Sequence, residues 1–366
     1  MSVYLLNQVL GNEAAEESES RQTEVLISDV NGLMCQLATG DRPERCGRMA
    51  QEALGTGGKR IRARLALLAC GVLGVSKQDA VCWAAAVELV HNATLVHDDI
   101  QDGDTHRRGR ETVWVKHGVG QAINVGDLML VLPYQALDQM DAPAELRWYL
   151  SRALAYRSGE TVRGQAEDMS LVTDRLFDWE SYVRVAEGKS GQLLALPVEG
   201  AAILAGIKPQ VAREIGNVYA TLGTLYQMQD DVLDLYGIKG RVSGTDLREG
   251  KMTALVSAHL ERYPEETEEL VALLEAPSEE ISEELVSVYR KLFREGGALD
   301  DVLASIDSLR EAIVLAPVLL EHPLLLEGAS ELADWIVREL DEHLSSENNK
   351  HLFNTNNKLK RRSESV

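Results

Sequence analysis

The chain has 366 residues, 45% of them apolar, and a formal net charge of −21. This length and apolar content suffice for one large hydrophobic core. The charge excludes nucleic acid and anionic lipid as partners unless it is locally inverted, and any anion site must be built from clustered Arg and Lys or from metal ions.

Aromatic residues are only 5% and Ala, Leu and Val dominate the apolar set. Ala and Leu favour helix, and alternating β-branched runs are few, so the expected fold class is all-α. The cysteines Cys35, Cys46, Cys70 and Cys82 match no zinc or Cys-x-x-Cys spacing. They read as reduced thiols in helix cores, which fits the cytoplasm. The first twenty residues lack the basic start and apolar stretch of a signal peptide, and no apolar run is long enough to span a membrane.

Residues 1–24 read as a loose leader rich in Glu and Ser, and an amphipathic pattern starts at Val25 with Leu26, Val30, Leu33 and Leu37 on one face. Helical patterns follow at about 61–74, 79–102, 119–138, 145–170, 175–206 and 209–235, with several more after 252. They compose one helical domain over 25–344. The tail 345–366 is polar and expected to be disordered, with a basic cluster at Lys358, Lys360, Arg361 and Arg362.

The segment Ala80–His97 is apolar almost all round, as a fully buried helix would be, and it ends in Asp98-Asp99-Ile100-Gln101-Asp102. Asp98 and Asp102 share a helix face, where like charges repel. Burying them adds a desolvation cost. A divalent cation removes both costs, and Mg²⁺, which prefers carboxylate oxygens shared with phosphates, suits the pattern. Asp230-Asp231-Val232-Leu233-Asp234 repeats the spacing at the end of a second apolar segment.

Cations stand near both clusters. Gly57-Gly58-Lys59-Arg60-Ile61-Arg62-Ala63-Arg64 is a glycine loop opening a helix, suited to an anion. Arg107 and Arg108 follow the first cluster; Gly188-Lys189-Ser190-Gly191 lies inside a helical stretch; and Gly240–Lys251 is a glycine-punctuated loop with three cations. His91 lies two turns before Asp98 on the same face, where it could donate to a phosphate oxygen.

Together, GGKRIR, HNATLVHDDIQDGDTHRRG, GKSG, YQMQDDVLD and GTDLREGK, in unbroken order from Gly57 to Lys251, resemble the trans-isoprenyl diphosphate synthases, or polyprenyl synthetases. The resemblance implies an isoprenoid-synthase-type helical bundle around a central cavity, usually a homodimer, with three Mg²⁺ ions. Lys59, Arg62, His91 and Arg108 would bind isopentenyl diphosphate. Arg107, Lys189, Ser190, Gln227, Arg241 and Lys251 would contact an allylic diphosphate (dimethylallyl, geranyl or farnesyl). Asp98, Asp102 and Asp230 would ligate Mg²⁺ directly, supported by Asp99, Asp231 and Asp234, the last from within the metal site. Gly240-Arg241 departs from the Gly-Lys usual in the family; Arg keeps the charge but presents a planar fork.

The resemblance also implies ionisation, condensation and elimination, with the growing chain running down the helix behind Asp98. Bulky aromatics four or five residues before the first aspartate stop growth early in this family. Thr94 and Ala93 stand there, with Val90 a turn further back, so geranylgeranyl diphosphate or a longer product is expected. A farnesyl diphosphate synthase is the alternative within the family. A class I terpene cyclase would not need the Lys59–Arg62–Arg108 set, and a non-catalytic subunit of a heteromeric synthase would typically lack one aspartate cluster.

Overall fold

The computed structural model describes residues 17–41, 44–237 and 243–344. The helices in chain order are α1 (Glu17–Thr39), α2 (Arg45–Leu54), α3 (Ile61–Val72), α4 (Lys77–Gln101), α5 (Val113–His117), α6 (Val119–Asp138), α7 (Ala144–Asp168), α8 (Trp179–Ala186), α9 (Gln192–Leu204) and α10 (Pro209–Tyr236). They continue as α11 (Thr245–Arg248), α12 (Ala254–Arg262), α13 (Thr267–Leu274), α14 (Glu283–Glu295), α15 (Ala298–Val314), α16 (Pro317–Leu320) and α17 (Pro323–Leu344). Among the described residues the only strands are β1 (His106–Arg107) and β2 (Arg110–Glu111), an antiparallel hairpin. The fold is all-α. Helix α1 begins at Glu17, eight residues before the Val25 at which the sequence pattern starts.

The chain divides into two compact units. Among the described residues, the first runs from 17 to 161 and takes in 192–220 and 316–331; the second takes in 162–191, 221–315 and 332–344.

In the first unit α4 is the central element. Its start is fixed by Ser76, whose hydroxyl accepts the Asp79 amide at 3.1 Å and donates to the Asp79 carboxylate at 2.9 Å. The other Asp79 oxygen accepts the amides of Asp141 and Ala142 at 2.8 and 3.2 Å, tying the helix start to the turn after α6. From Ala80 to Val96 most side chains are buried, and α4 packs on α6, α3 and α9. Two glycines permit close approach: a Cβ at Gly126 of α6 would collide with the His97 ring, and one at Gly200 of α9 with the Trp83 indole. Trp83 is fully buried and donates Nε1–H to the Pro197 carbonyl at 2.8 Å. The helix therefore delivers its last turn, Asp98 to Gln101, from a rigid base.

In the second unit α12 is capped by Thr253, which accepts the Val256 amide, and α12 packs on α8, α14 and α15. Its buried His259 stacks near Tyr263 and Phe293, with ring centroids 4.9 and 5.2 Å away. The stretch expected as one helix over 175–206 is interrupted: Glu187–Gly191 forms a π-turn between α8 and α9.

Candidate active site

In the first unit the basic loop, the end of α4 and the hairpin meet. Gly57 and Gly58 have φ of 82° and 122°, and Arg60 is left-handed at 54°. Arg108 and Gly109, φ 53° and 74°, form the two-residue turn of the hairpin, the geometry of a type I′ turn. That turn sends the Arg108 guanidinium onto the loop, where it donates to the Gly57 carbonyl. A Cβ at Gly58 would strike the same guanidinium, so Gly58 gives Arg108 its seat.

Lys59 is exposed beside it. Arg62 Nη1 lies 3.1 Å from His91 Nε2. Arginine has no acceptor and keeps its proton, so Nε2 accepts and the His91 proton sits on Nδ1. That Nδ1 is buried and has no hydrogen-bond partner among the described residues. Burial, then the neighbouring Arg62, Arg108, Arg60 and Arg107, hold the His91 pKa well below the ordinary histidine value. The ring is therefore a neutral donor waiting for an acceptor.

The first aspartate cluster splits by role. Asp98 is half-buried and Asp102 exposed, while Asp99 is 4% exposed and accepts Arg107 Nε. Arg107 also donates Nη2 to Asp104 at 3.1 Å. Burial raises the Asp99 pKa, and the Arg107 bond works against that rise. Asp99 thus anchors the hairpin. Beside it a cavity of about 300 Å³ is lined by Asn92, Val96, Asp99, Arg107, Arg108 and Thr112 among others. Thr94, Ala93 and Val90 lie further back on α4; Ala93 and Val90 are buried, and the Thr94 hydroxyl donates to the His91 carbonyl at 2.8 Å.

The second unit carries the second cluster. Asp230 is exposed at the end of α10. Asp231 is buried and accepts Tyr182 OH at 2.7 Å, the Ala254 amide at 2.7 Å and Gln227 Nε2 at 2.9 Å. Gln227 in turn accepts from the Ser190 hydroxyl at 2.8 Å. Asp234 accepts the amides of Thr245 and Asp246, both at 3.2 Å, and so fixes the start of α11. Lys189 donates to Asp168 at 2.6 Å, and Lys251 lies 3.8 Å from Asp246. A cavity of about 80 Å³ is lined by Asp168, Lys189, Gln227, Asp231, Asp246 and Lys251 among others. Burial pushes the Asp231 carboxyl up to about 6. Burial, then Asp231 and Asp234, push Asp246 up to about 7. Burial also raises Asp234.

The π-turn places Lys189 and Ser190. An extra residue per turn swings them out of the α-helical register, a device frequent at functional sites. Two glycines clasp it. A Cβ at Gly164 would lie 2.5 Å from the Lys189 nitrogen, and one at Gly223 would lie 2.5 Å from Gly191 Cα.

Among the described residues no group of three or more His, Cys, Asp or Glu is assembled to hold an ion on protein ligands alone. The donors present nevertheless suit a hard cation: Asp98 with Asp102, and Asp230 with Asp234, offer oxygen only. Mg²⁺ usually takes one or two carboxylates and fills its octahedron with water and phosphate. The raised carboxyls of Asp231, Asp234 and Asp246 mark a pocket in which negative charge is undercompensated.

The sequence residues are thus brought together as two sets, one in each unit. Arg241 lies outside the described residues. Three site residues escaped sequence reading: Asp168, Tyr182 and Asp246. Tyr182 lies seven residues before Lys189, and Asp246 stands within the quoted GTDLREGK, so spacing could have flagged both.

The chain matches the Polyprenyl synthetase family over residues 43–292. It is 33% identical over 232 residues to a geranylgeranyl diphosphate synthase of Methanosarcina mazei, covering 63% of this chain and 72% of that one. It is 38% identical over 207 residues to a (2E,6E)-farnesyl diphosphate synthase of Mycobacterium tuberculosis, covering 55% and 56%. The solved geranylgeranyl pyrophosphate synthetase of the archaeon Geoglobus acetivorans superposes with a TM-score of 0.71 at 29% identity, over 86% of this chain and 98% of that one. No described helix is long and apolar enough to cross a membrane. With helices carrying both carboxylate clusters and the matched region enclosing them, the chain belongs to the polyprenyl synthetase family and is a prenyltransferase.

Proposed function

We propose that the protein is an all-trans polyprenyl diphosphate synthase that joins isopentenyl diphosphate to an allylic diphosphate and releases a product of twenty carbons or more. The observation that carries this reading is the cation set of the first unit. Arg62, Arg108, Lys59 and the Nδ1–H of His91 compose a set of cations and one neutral donor, suited to a diphosphate whose carbon–oxygen bond stays intact. A terpene cyclase, which consumes one diphosphate, has no use for it.

Asp98, Asp102, Asp230 and Asp234 would hold three Mg²⁺ ions, which when bound neutralise the allylic diphosphate and stabilise it as a leaving group. Lys189, Ser190, Gln227 and Lys251 are its candidate contacts in the second unit and Arg107 the candidate in the first, and the family resemblance assigns Arg241 the same role. Asp99 and Asp231 hold the side chains around them. The allylic carbon–oxygen bond breaks heterolytically. Lys59, Arg62, His91 and Arg108 hold isopentenyl diphosphate so that its double bond attacks the allylic cation. Loss of a proton, to the departing diphosphate, restores the double bond. No side-chain nucleophile takes part; the chain positions, stabilises charge and excludes water.

Product length is supported by α4. Thr94, Ala93 and Val90 offer no bulk, and Trp83 is the only Phe, Tyr or Trp in the helix. Trp83 lies on the face that carries Asp98, Thr94, Val90 and Val87, fifteen residues back from Asp98, or about 22 Å at 1.5 Å per residue. Three bonds of an extended chain advance about 3.3–3.6 Å, so the four bonds of an isoprene unit advance about 5 Å. Four units then reach Trp83. Retention of both aspartate clusters opposes a non-catalytic subunit.

A homodimer is supported by exposed apolar side chains on two successive helices, Val119, Ile123, Val131 and Tyr134 on α6 and Trp148 on α7. Cytoplasmic residence fits the free cysteines.

Asp98→Ala tests the metal assignment. The variant is expected to keep the helical circular dichroism of the native chain and lose Mg²⁺-dependent condensation almost completely. Near-normal turnover would falsify the assignment.

A further inference from the structure

The basic loop alternates. Lys59 is exposed and Arg62 reaches His91, but Arg60 and Arg64 turn inward. Arg64 donates Nε–H to the Lys59 carbonyl at 2.9 Å. Arg60 is 7% exposed and binds on every side. It donates Nε–H to Asn31 at 3.0 Å, Nη2 to the Leu54 carbonyl at 2.7 Å, and Nη1 to Glu88 at 3.2 Å and Asn92 at 3.4 Å. Glu88, 2% exposed on α4, accepts Arg60 on one oxygen and the Ala63 amide, at 3.2 Å, on the other. One carboxylate therefore fixes both the inward arginine and the first turn of α3. It sits one turn before His91 on the same helix.

Stability does not account for this arrangement. A buried ion pair is a weak source of stability, because desolvation offsets the attraction. Arg60 also holds a left-handed backbone, uncommon for a residue with a Cβ and costly unless its surroundings enforce it. Two unfavourable features coincide at the residue between Lys59 and Ile61. Their effect is conformational: with Arg60 pinned inward, Lys59 is thrown outward and Arg62 is set against His91.

We propose that Glu88, acting through Arg60, is the positioning residue of the isopentenyl diphosphate pocket and sets where Lys59 and Arg62 present their charges. This rests on the function proposed above.

The test is steady-state kinetics of the full chain with both substrates varied. Glu88→Gln keeps the shape but loses the charge and brings an amide N–H towards donors. Arg60→Lys keeps the charge but replaces a fork with a single point. Each variant is expected to raise KM for isopentenyl diphosphate by about 10–100-fold, the scale of losing one hydrogen bond to a charged group. KM for the allylic primer and kcat should stay within about 2–3-fold. The double variant should be no worse than about the poorer single one, since the pair acts as one device. Unchanged KM for isopentenyl diphosphate overturns the proposal. So does a parallel rise of both KM values with loss of helical signal, which marks a merely structural role. A native enzyme that incorporates no isopentenyl diphosphate overturns the function itself and this proposal with it; a competent native enzyme with indifferent variants overturns the proposal alone.

Discussion

Replacing Gly164 with Ala probes the π-turn from the helix that supports it. The new Cβ would lie 2.5 Å from the Lys189 nitrogen, 2.6 Å from the Gly188 carbonyl carbon and 2.7 Å from Gly188 Cα. Ordinary contact begins at about 3.4 Å, so α7 and the π-turn must part by nearly 1 Å. All three opposing atoms are backbone, and no side-chain rotation relieves the overlap. Overpacking of this kind costs about 1–3 kcal/mol. At about 2–4 °C per kcal/mol for a unit of this size, the melting temperature should fall by several degrees. The displaced backbone carries Lys189, and a shift of about 1 Å at a positioning group costs up to about 100-fold in rate. The expected result is a fall in kcat/KM for the allylic primer of about 10–100-fold. KM for isopentenyl diphosphate should hold, because its residues belong to the first unit. Gly32→Ala, on α1 where a Cβ meets nothing within 4 Å, is the control and should leave the kinetics unchanged. Native kcat/KM for the allylic primer in Gly164→Ala, or a KM for isopentenyl diphosphate raised as much as that for the primer, would contradict this.

The product-length reading predicts two opposite shifts. Ala93→Phe, with its side chain in the path near the site, should shorten the product, and Trp83→Leu should lengthen it by about one five-carbon unit, the length gained by removing an indole from the end of the path. Chromatography of dephosphorylated products decides both, and an unchanged spectrum in both variants sinks the idea. For pH, Asp231 at about 6 and Asp246 at about 7 hold protons in the native state that the unfolded chain has lost. Stability of the metal-free protein should therefore fall as pH rises from about 4 to about 7 and stay low above that. Mg²⁺ requires the ionised carboxylates, so the rise in melting temperature on adding it should grow over the same window. A Mg²⁺ effect independent of pH between 5 and 8 would contradict this.

Much of the site was legible because its residues defy their surroundings. Paired aspartates at the end of an apolar helix, and four cations in six residues of an acidic chain, are costly unless a ligand repays them. The buried helix around Trp83 and Val90 was legible because it is apolar on every side. The π-turn was not. Its cause lies partly in Gly164 and Gly223, remote in sequence from Lys189, and periodicity over 175–206 reads through it as one helix. The hairpin was hidden because Arg108, in a position favouring Gly or Asn, adopts a left-handed turn in order to reach Gly57. Nor does composition reveal the two units, whose segments interleave along the chain. The roles within each cluster needed coordinates as well: Asp99 is buried against Arg107 and Asp231 against three protein donors, whereas Asp102 and Asp230, the same residue type in the same motifs, are exposed.

The most direct test of the central claim is incubation of the full chain with Mg²⁺, labelled isopentenyl diphosphate and dimethylallyl, geranyl or farnesyl diphosphate in turn, followed by product-length analysis. Label should enter an all-trans product of twenty carbons or more with at least one primer, and chelation of the metal should abolish incorporation. Consumption of the allylic primer with release of diphosphate and no uptake of label would contradict the account.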